Sequence, residues 1–129
     1  MAHELNLSKI ARLLGVIEIV TLRPGEFLFR EGDDADGLFI VKSGRVQVTR
    51  HGTIYDDVSG GGIVGELAIV DEGTRSASVR AATGAVLVKV DIPGFLALVE
   101  HEPEFALTVM GVMARRLRLM NDRDQASAA

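Results

Sequence analysis

Short stretches in which apolar and polar residues alternate make up most of the chain before residue 91. In residues 45–50, Val46 and Val48 alternate with polar residues, as in a strand that buries one face. Turn signals such as Pro24-Gly25 separate these stretches, and short strands at this spacing indicate an antiparallel sandwich or barrel. The predicted strands are residues 16–22, 26–30, 38–42, 45–50, 53–58, 77–81 and 85–90.

Helical patterns flank this β region on both sides. Residues 7–14 carry apolar side chains at helical spacing and predict a short N-terminal helix. Asp91 and Pro93 predict the start of another helix, because aspartate caps helices and proline is favoured in the first turn. Two C-terminal helices are predicted over residues 92–121, followed by a frayed tail.

The second C-terminal helix carries one apolar seam at spacings of three and four. Its apolar surface exceeds what one face needs for packing against the barrel, so the seam predicts a partner helix and a homodimer. Arg115, Arg116 and Arg118 lie near the end of this helix, where they suit the helix dipole. The seam consists of Leu107, Met110, Ala114 and Leu117.

Composition narrows the class of protein. A chain of 129 residues, with 47% apolar and 25% charged residues, is typical of a single globular domain spanning residues 1–129. The net charge of −4 argues against a protein that binds the nucleic-acid backbone. The sequence contains no cysteine, secretory signal or apolar run of bilayer length, which predicts a cytoplasmic protein without membrane attachment.

The glycine-rich stretch at residues 60–69 concentrates the candidate chemistry. Gly65 permits close approach of the backbone to a ligand, and a helical turn starting at Glu66 would present N–H groups to an anion. Arg75 adds a guanidinium that suits phosphate, and Ser76 adds a hydroxyl donor. The Glu66 carboxylate would repel phosphate but could accept a hydrogen bond from a sugar hydroxyl. The pattern therefore predicts a site for a small anionic ligand with sugar-like hydroxyls.

The same glycines do not fit either of two other phosphate-binding motifs, the dinucleotide-binding motif and the P-loop. Gly60, Gly62 and Gly65 satisfy G-x-G-x-x-G, but residues 71–74 break the following helix too early for a dinucleotide fold. Glu66 stands where a P-loop needs lysine. A flexible barrel corner remains the structural alternative for these glycines.

Structural alternatives also remain for the charged residues. Arg75 could pair with Asp71 or Glu72 at the surface, where such pairs contribute little to stability. Glu66 could be favoured at a helix start by the dipole, and a serine such as Ser76 is common beside a strand. The three histidines lack metal-site spacing and no nucleophile set can be argued, so neither a metal site nor an enzyme is predicted.

The motif Gly65-Glu66-Leu67-Ala68, followed by Arg75-Ser76-Ala77, resembles the phosphate-binding cassette of cyclic-nucleotide-binding domains. These domains occur in catabolite activator proteins and in protein kinase A regulatory subunits. The upstream turns at residues 23–26 and 42–46 are similar to the early barrel of the family. The resemblance implies a mainly β fold with flanking helices: an antiparallel jelly-roll-like barrel, or double-stranded β-helix, over residues 16–90, with the cassette at residues 64–77.

The resemblance also implies a ligand and a role for each residue. Glu66 would accept the ribose 2′-hydroxyl, while Arg75 and Ser76 would bind the cyclic phosphate. The expected ligand is cAMP in preference to cGMP, and the last helix would pair subunits or close over the base. Backbone N–H groups of Leu67 and Ala68 would complete the phosphate cradle, and Val64, Ala77 and the last helix would wall the base. The implied ligand-binding residues are Val64, Gly65, Glu66, Leu67, Ala68, Arg75, Ser76 and Ala77.

Transcription regulators of this family continue into a helix-turn-helix module, whereas this sequence stops at residue 129. We therefore expect a sensor domain, free-standing or part of a larger protein, that does not read DNA directly. The alternative is a barrel that has lost its ligand and acts as a protein-interaction or dimerisation module through its last helix.

Overall fold

A computed structural model describes residues 18–71 and 73–128, with side chains described as far as Asp122. The described residues form two four-stranded antiparallel sheets, with strand orders β1-β8-β3-β6 and β2-β7-β4-β5. This arrangement confirms the predicted mainly β fold with flanking helices; the predicted helix at residues 7–14 lies outside the described residues. The strands are β1 (Glu18–Leu22), β2 (Phe27–Phe29), β3 (Gly37–Ser43), β4 (Arg45–Arg50), β5 (Thr53–Ser59), β6 (Ile63–Val64), β7 (Ser78–Ala81) and β8 (Ala85–Asp91).

The barrel interior is built from alternating positions on the strands. Val46 and Val48 of β4 are buried in the core between the sheets, as their alternation with polar residues predicted. β3 differs because residues 38–41 are all buried. Phe39 belongs to the core inside the barrel, whereas Ile40 belongs to a second core formed with the C-terminal helices. Helices therefore cover the outer face of the sheet that contains β3.

Two helices follow the barrel, α1 (Ile92–His101) and α2 (Glu104–Ala128). Asp91 caps α1 as predicted, and its Oδ1 accepts a 2.7 Å hydrogen bond from the backbone N–H of Gly94. α2 runs to Ala128 and does not end near Asn121, because neither glycine nor proline follows Asn121 to stop it. Within the described residues, no helix is long and apolar enough to cross a lipid bilayer.

The two faces of α2 have different surroundings. Phe105 and Val109 are buried in the second core, and Met120 is buried in the core inside the barrel. The apolar seam identified in the sequence points away from the barrel. Its large members are more than half exposed: Leu107 at 66%, Met110 at 55% and Leu117 at 55%.

Candidate functional site

The candidate site begins where β6 leads through Gly65 into a short 3-10 helix, Glu66–Ile69. Gly65 has a φ of 74°, a left-handed conformation that glycine adopts without strain. A Cβ built on Gly65 would come within 2.7 Å of Arg75 Nη1. Gly65 therefore permits both the sharp turn after β6 and the position of the arginine beside it.

A cavity lies beside this turn. Every predicted ligand-binding residue except Val64 lines it, whereas Val64 is fully buried within the barrel core. Val64 therefore does not wall the cavity as the resemblance implied. The space left between the lining side chains is about 30 Å³. The seven predicted residues brought together are Gly65, Glu66, Leu67, Ala68, Arg75, Ser76 and Ala77.

Arg75 is buried, with 6% of its surface exposed, and its guanidinium is fixed from two directions. Nη1 donates hydrogen bonds to the carbonyl oxygens of Gly37 at 2.8 Å and Gly65 at 3.2 Å. The guanidinium carbon lies 4.1 Å from the ring centroid of Phe29, within the range of a cation–π contact. Nε is buried and has no hydrogen-bond partner among the described residues.

The structure does not contain the surface ion pair between Arg75 and Asp71 that the sequence allowed. Arg75 forms no ion pair with Asp71 in the described part of the chain, and Glu72 lies outside that part. Burial lowers the pKa of Arg75, opposed by the charges of Asp36, Glu66 and Asp33. Arginine remains ionised at neutral pH despite such a shift. Arg75 is thus a buried, permanent positive charge at the cavity wall.

Glu66 places a negative charge in the same cavity, with only 1% of its surface exposed. Its Oε1 has no hydrogen-bond donor among the described residues, and the nearest cation is Arg116 Nη1 at 3.6 Å. Burial raises the pKa of Glu66, and the charge of Arg116 opposes that shift. A buried carboxylate oxygen without a hydrogen-bond donor is unfavourable, so this oxygen is available to accept a hydrogen bond from a ligand hydroxyl.

The 3-10 helix itself offers less to an anion than predicted. It spans four residues, and the backbone N–H of Ala68 already donates to Gly65 O at 3.3 Å. Donation from this N–H to a phosphate would require that contact to break. Positive charge at the site comes mainly from side chains.

α2 contributes Arg116 and Met120 to the cavity wall. Arg116 is 3% exposed, and its Nη2 donates to Ile63 O at 3.1 Å. From the sequence, Arg116 was predicted only to interact favourably with the helix dipole near the C-terminal end. Its position at the cavity was not predicted. Its spacing from Val109 and Met120, seven and four residues, places it on the buried face of the helix, so the sequence could have predicted its burial but not its partners.

No group of three or more histidine, aspartate and glutamate residues that could hold a metal ion occurs in the described ranges. The cavity instead combines two carboxylates, Glu66 and Asp71, with two guanidinium groups and with apolar walls that include Phe29 and Met120. This set of groups suits an organic anion that carries hydroxyls.

Comparison with known proteins places the chain in context. A family model described as the cyclic nucleotide-binding domain matches residues 19–102. The chain is 35% identical to a cGMP-dependent protein kinase of Caenorhabditis elegans over 88 residues, which are 68% of this chain and 11% of the kinase. It is 30% identical to a CRP-like cAMP-activated global transcriptional regulator of Mycobacterium tuberculosis over 120 residues, which are 89% of this chain and 54% of the regulator.

The fold is also similar to a solved structure, the catabolite activator protein of Thermus thermophilus. The TM-score is 0.76 at 29% sequence identity, and the match covers 97% of this chain and 62% of that one. The chain thus spans about half or less of the curated relatives described above.

Proposed function

The chain belongs to the cyclic nucleotide-binding domain family, and we propose that it is a sensor domain that binds cAMP in preference to cGMP. The similarity to a regulator named as cAMP-activated supports this preference. The similarity to a kinase named as cGMP-dependent makes cGMP the alternative ligand. A sensor role is favoured over an enzyme because no nucleophile set is identified in the sequence.

One observation carries the proposal: two buried polar atoms without a hydrogen-bond partner among the described residues, from side chains of opposite charge, lie at one cavity. Glu66 Oε1 lacks a donor and Arg75 Nε lacks an acceptor among the described residues. A ribose 2′-hydroxyl would donate to Glu66, and the cyclic phosphate would accept from the Nε edge of Arg75, which leaves Nη1 on its two carbonyl partners. Ser76 at the cavity wall supplies a further donor to the phosphate.

Binding of the nucleotide is coupled to the position of α2 in this proposal. Pockets for small-molecule ligands span about 300–1,000 Å³, whereas the cavity leaves about 30 Å³. Arg116 and Met120 of α2 contribute to its wall. A cyclic nucleotide therefore requires these side chains to move, and a ligand that binds the two positions of α2 unequally shifts their populations.

The outward seam of α2 supports a homodimer as the second part of the proposal. Leu107, Met110, Ala114 and Leu117 follow the three-four spacing of a heptad, and the three large members are exposed. A second copy of this helix would cover them as a coiled coil. Absence of direct nucleic-acid binding and location in the cytoplasm remain predictions from the sequence.

Isothermal titration calorimetry with cAMP and cGMP tests the ligand. Arg75→Ala should weaken cAMP binding by about 2 kcal/mol or more, because a charge-assisted phosphate contact is lost. Arg80→Ala is the matched control, since Arg80 is an exposed arginine of the neighbouring strand β7 and should leave affinity unchanged. If the wild-type protein binds neither nucleotide, the interaction-module alternative is favoured. Turnover of either nucleotide would instead indicate an enzyme.

A further inference from the structure

Asp56 is a carboxylate on the inner face of a barrel strand. In the pairing of β4 with β5, Val46 lies opposite Val58, and Val48 lies opposite Asp56. Paired residues point to the same face of a sheet, so Asp56 faces the interior with these valines. An irregularity in the pairing follows at Tyr55, which is buried as well. An inward carboxylate is costly unless it is paired.

Asp56 pairs with two consecutive arginines of α2, and its Oδ1 also accepts a 2.9 Å hydrogen bond from the backbone N–H of Asp57. Arg115 Nη2 lies 3.1 Å from Asp56 Oδ1, and Arg116 Nε lies 3.4 Å from Asp56 Oδ2. The Asp56 side chain is 8% exposed, so these pairs are shielded from solvent on the carboxylate side. Arg116 also approaches Glu66 at 3.6 Å and therefore lies between two carboxylates. One strand residue thus connects the barrel wall to the helix that covers the cavity.

We infer that Asp56 is a positioning residue that holds α2 over the cavity and thereby lowers the affinity for cyclic nucleotide. This inference rests on the proposed function, because the site it regulates is the proposed nucleotide site. Asp56 does not line the cavity, so its effect is exerted through Arg115 and Arg116.

The effect follows from competition for the same space and the same carboxylate. A nucleotide would need room that Arg116 and Met120 restrict, and its ribose hydroxyl would approach the Glu66 oxygen that Arg116 faces. The Asp56–Arg115 pair anchors the helix next to Arg116, so moving α2 breaks the contacts of Asp56 with both arginines. Apparent affinity is proportional to the fraction of molecules in which α2 has moved, so contacts that lower this fraction weaken binding.

Two substitutions test the inference by calorimetry with cAMP and cGMP. Asp56→Asn keeps the shape of the side chain but removes its charge. Arg115→Gln breaks the anchor from an exposed residue and leaves Arg116 unchanged. Both should tighten binding, by up to about tenfold if about a tenth of molecules are binding-competent in the wild type. Arg118→Gln is the matched control, since it removes one positive charge from an exposed position of the same helix.

Hydrogen exchange without nucleotide provides a readout of the helix itself. Asp56→Asn and Arg115→Gln should speed amide exchange around residues 112–122 of α2, whereas Arg118→Gln should not. If the wild type binds nucleotide but the two variants bind equally or more weakly, the positioning role is wrong and the proposed function stands. If neither the wild type nor the variants bind either nucleotide, the proposed function and the effect on affinity are both wrong. Faster exchange in the two variants would then support only the role of Asp56 in stabilising the position of α2.

Discussion

Glu66 and Arg116 stand 50 positions apart in the sequence, yet Arg116 Nη1 lies 3.6 Å from Glu66 Oε1. The first residue belongs to the turn beside the cavity and the second to the long C-terminal helix. Their contact joins the proposed sugar-binding carboxylate to the element proposed to respond to ligand. Substitutions at the site should therefore affect both binding and the behaviour of α2.

Glu66→Gln should weaken cAMP binding. A hydrogen bond to a charged acceptor contributes about 1.5–3 kcal/mol, so the expected loss is roughly ten- to hundredfold in affinity. Titration with 2′-deoxy-cAMP provides the control, because the wild type should lose a similar amount with this analogue. In Glu66→Gln, removal of the hydroxyl should have little further effect. A full additional loss in the variant would mean that the hydroxyl has another partner.

Stability should depend on pH through Glu66. Burial raises the pKa of Glu66 above 4.5 in the folded protein, so the folded state binds this proton more tightly than the unfolded chain. Glu66 contributes least favourably to the free energy of unfolding at pH values above its raised pKa. Its contribution becomes more favourable as the pH falls from that pKa toward 4.5. Chemical denaturation across this range should show the wild type gaining stability relative to Glu66→Gln as pH falls. A constant difference between the two proteins would contradict the shift.

Gly65→Ala should reduce both stability and nucleotide affinity. Alanine at a φ of 74° costs about 1–2 kcal/mol in conformational energy. Its Cβ would lie 2.7 Å from Arg75 Nη1, which is too close, so the guanidinium would have to move. Gly52→Ala is the control, because Gly52 has a φ of 78° and no atom within 4 Å of a built Cβ. Both variants should lose stability in denaturation experiments, but only Gly65→Ala should weaken cAMP binding. Equal affinities in the two variants would contradict the role assigned to Gly65.

Leu117→Glu should dissociate the proposed dimer. Leu117 is the last residue of the apolar seam, and a charge there cannot be buried against a second helix without a partner. Size-exclusion chromatography with light scattering should give the variant a mass near 13.8 kDa and the wild type twice that mass. Leu96→Glu replaces an exposed leucine of α1 outside the seam and should remain dimeric. A monomeric wild type would overturn the dimer.

Local pattern was sufficient where the deciding interactions lie close in sequence. The alternation around Val46 and Val48 predicted β4 with its observed bounds, and Asp91 caps α1 as expected. The two-residue strand β6 escaped prediction, because it is too short for alternation to be visible. The end of α2 was also misplaced, since the polar residues after Asn121 do not stop a helix.

The sequence by itself determined the barrel, its two C-terminal helices and the grouping of Gly65, Glu66 and Arg75, because turn chemistry, alternation and a local motif specify them. Only the tertiary structure decided that Val64 lies in the core and that Phe29 holds the guanidinium of Arg75. It also decided that the Arg116 side chain forms ion pairs with Glu66 and Asp56. These contacts join residues far apart in the chain, and they depend on how α2 packs across the barrel, which no local spacing encodes.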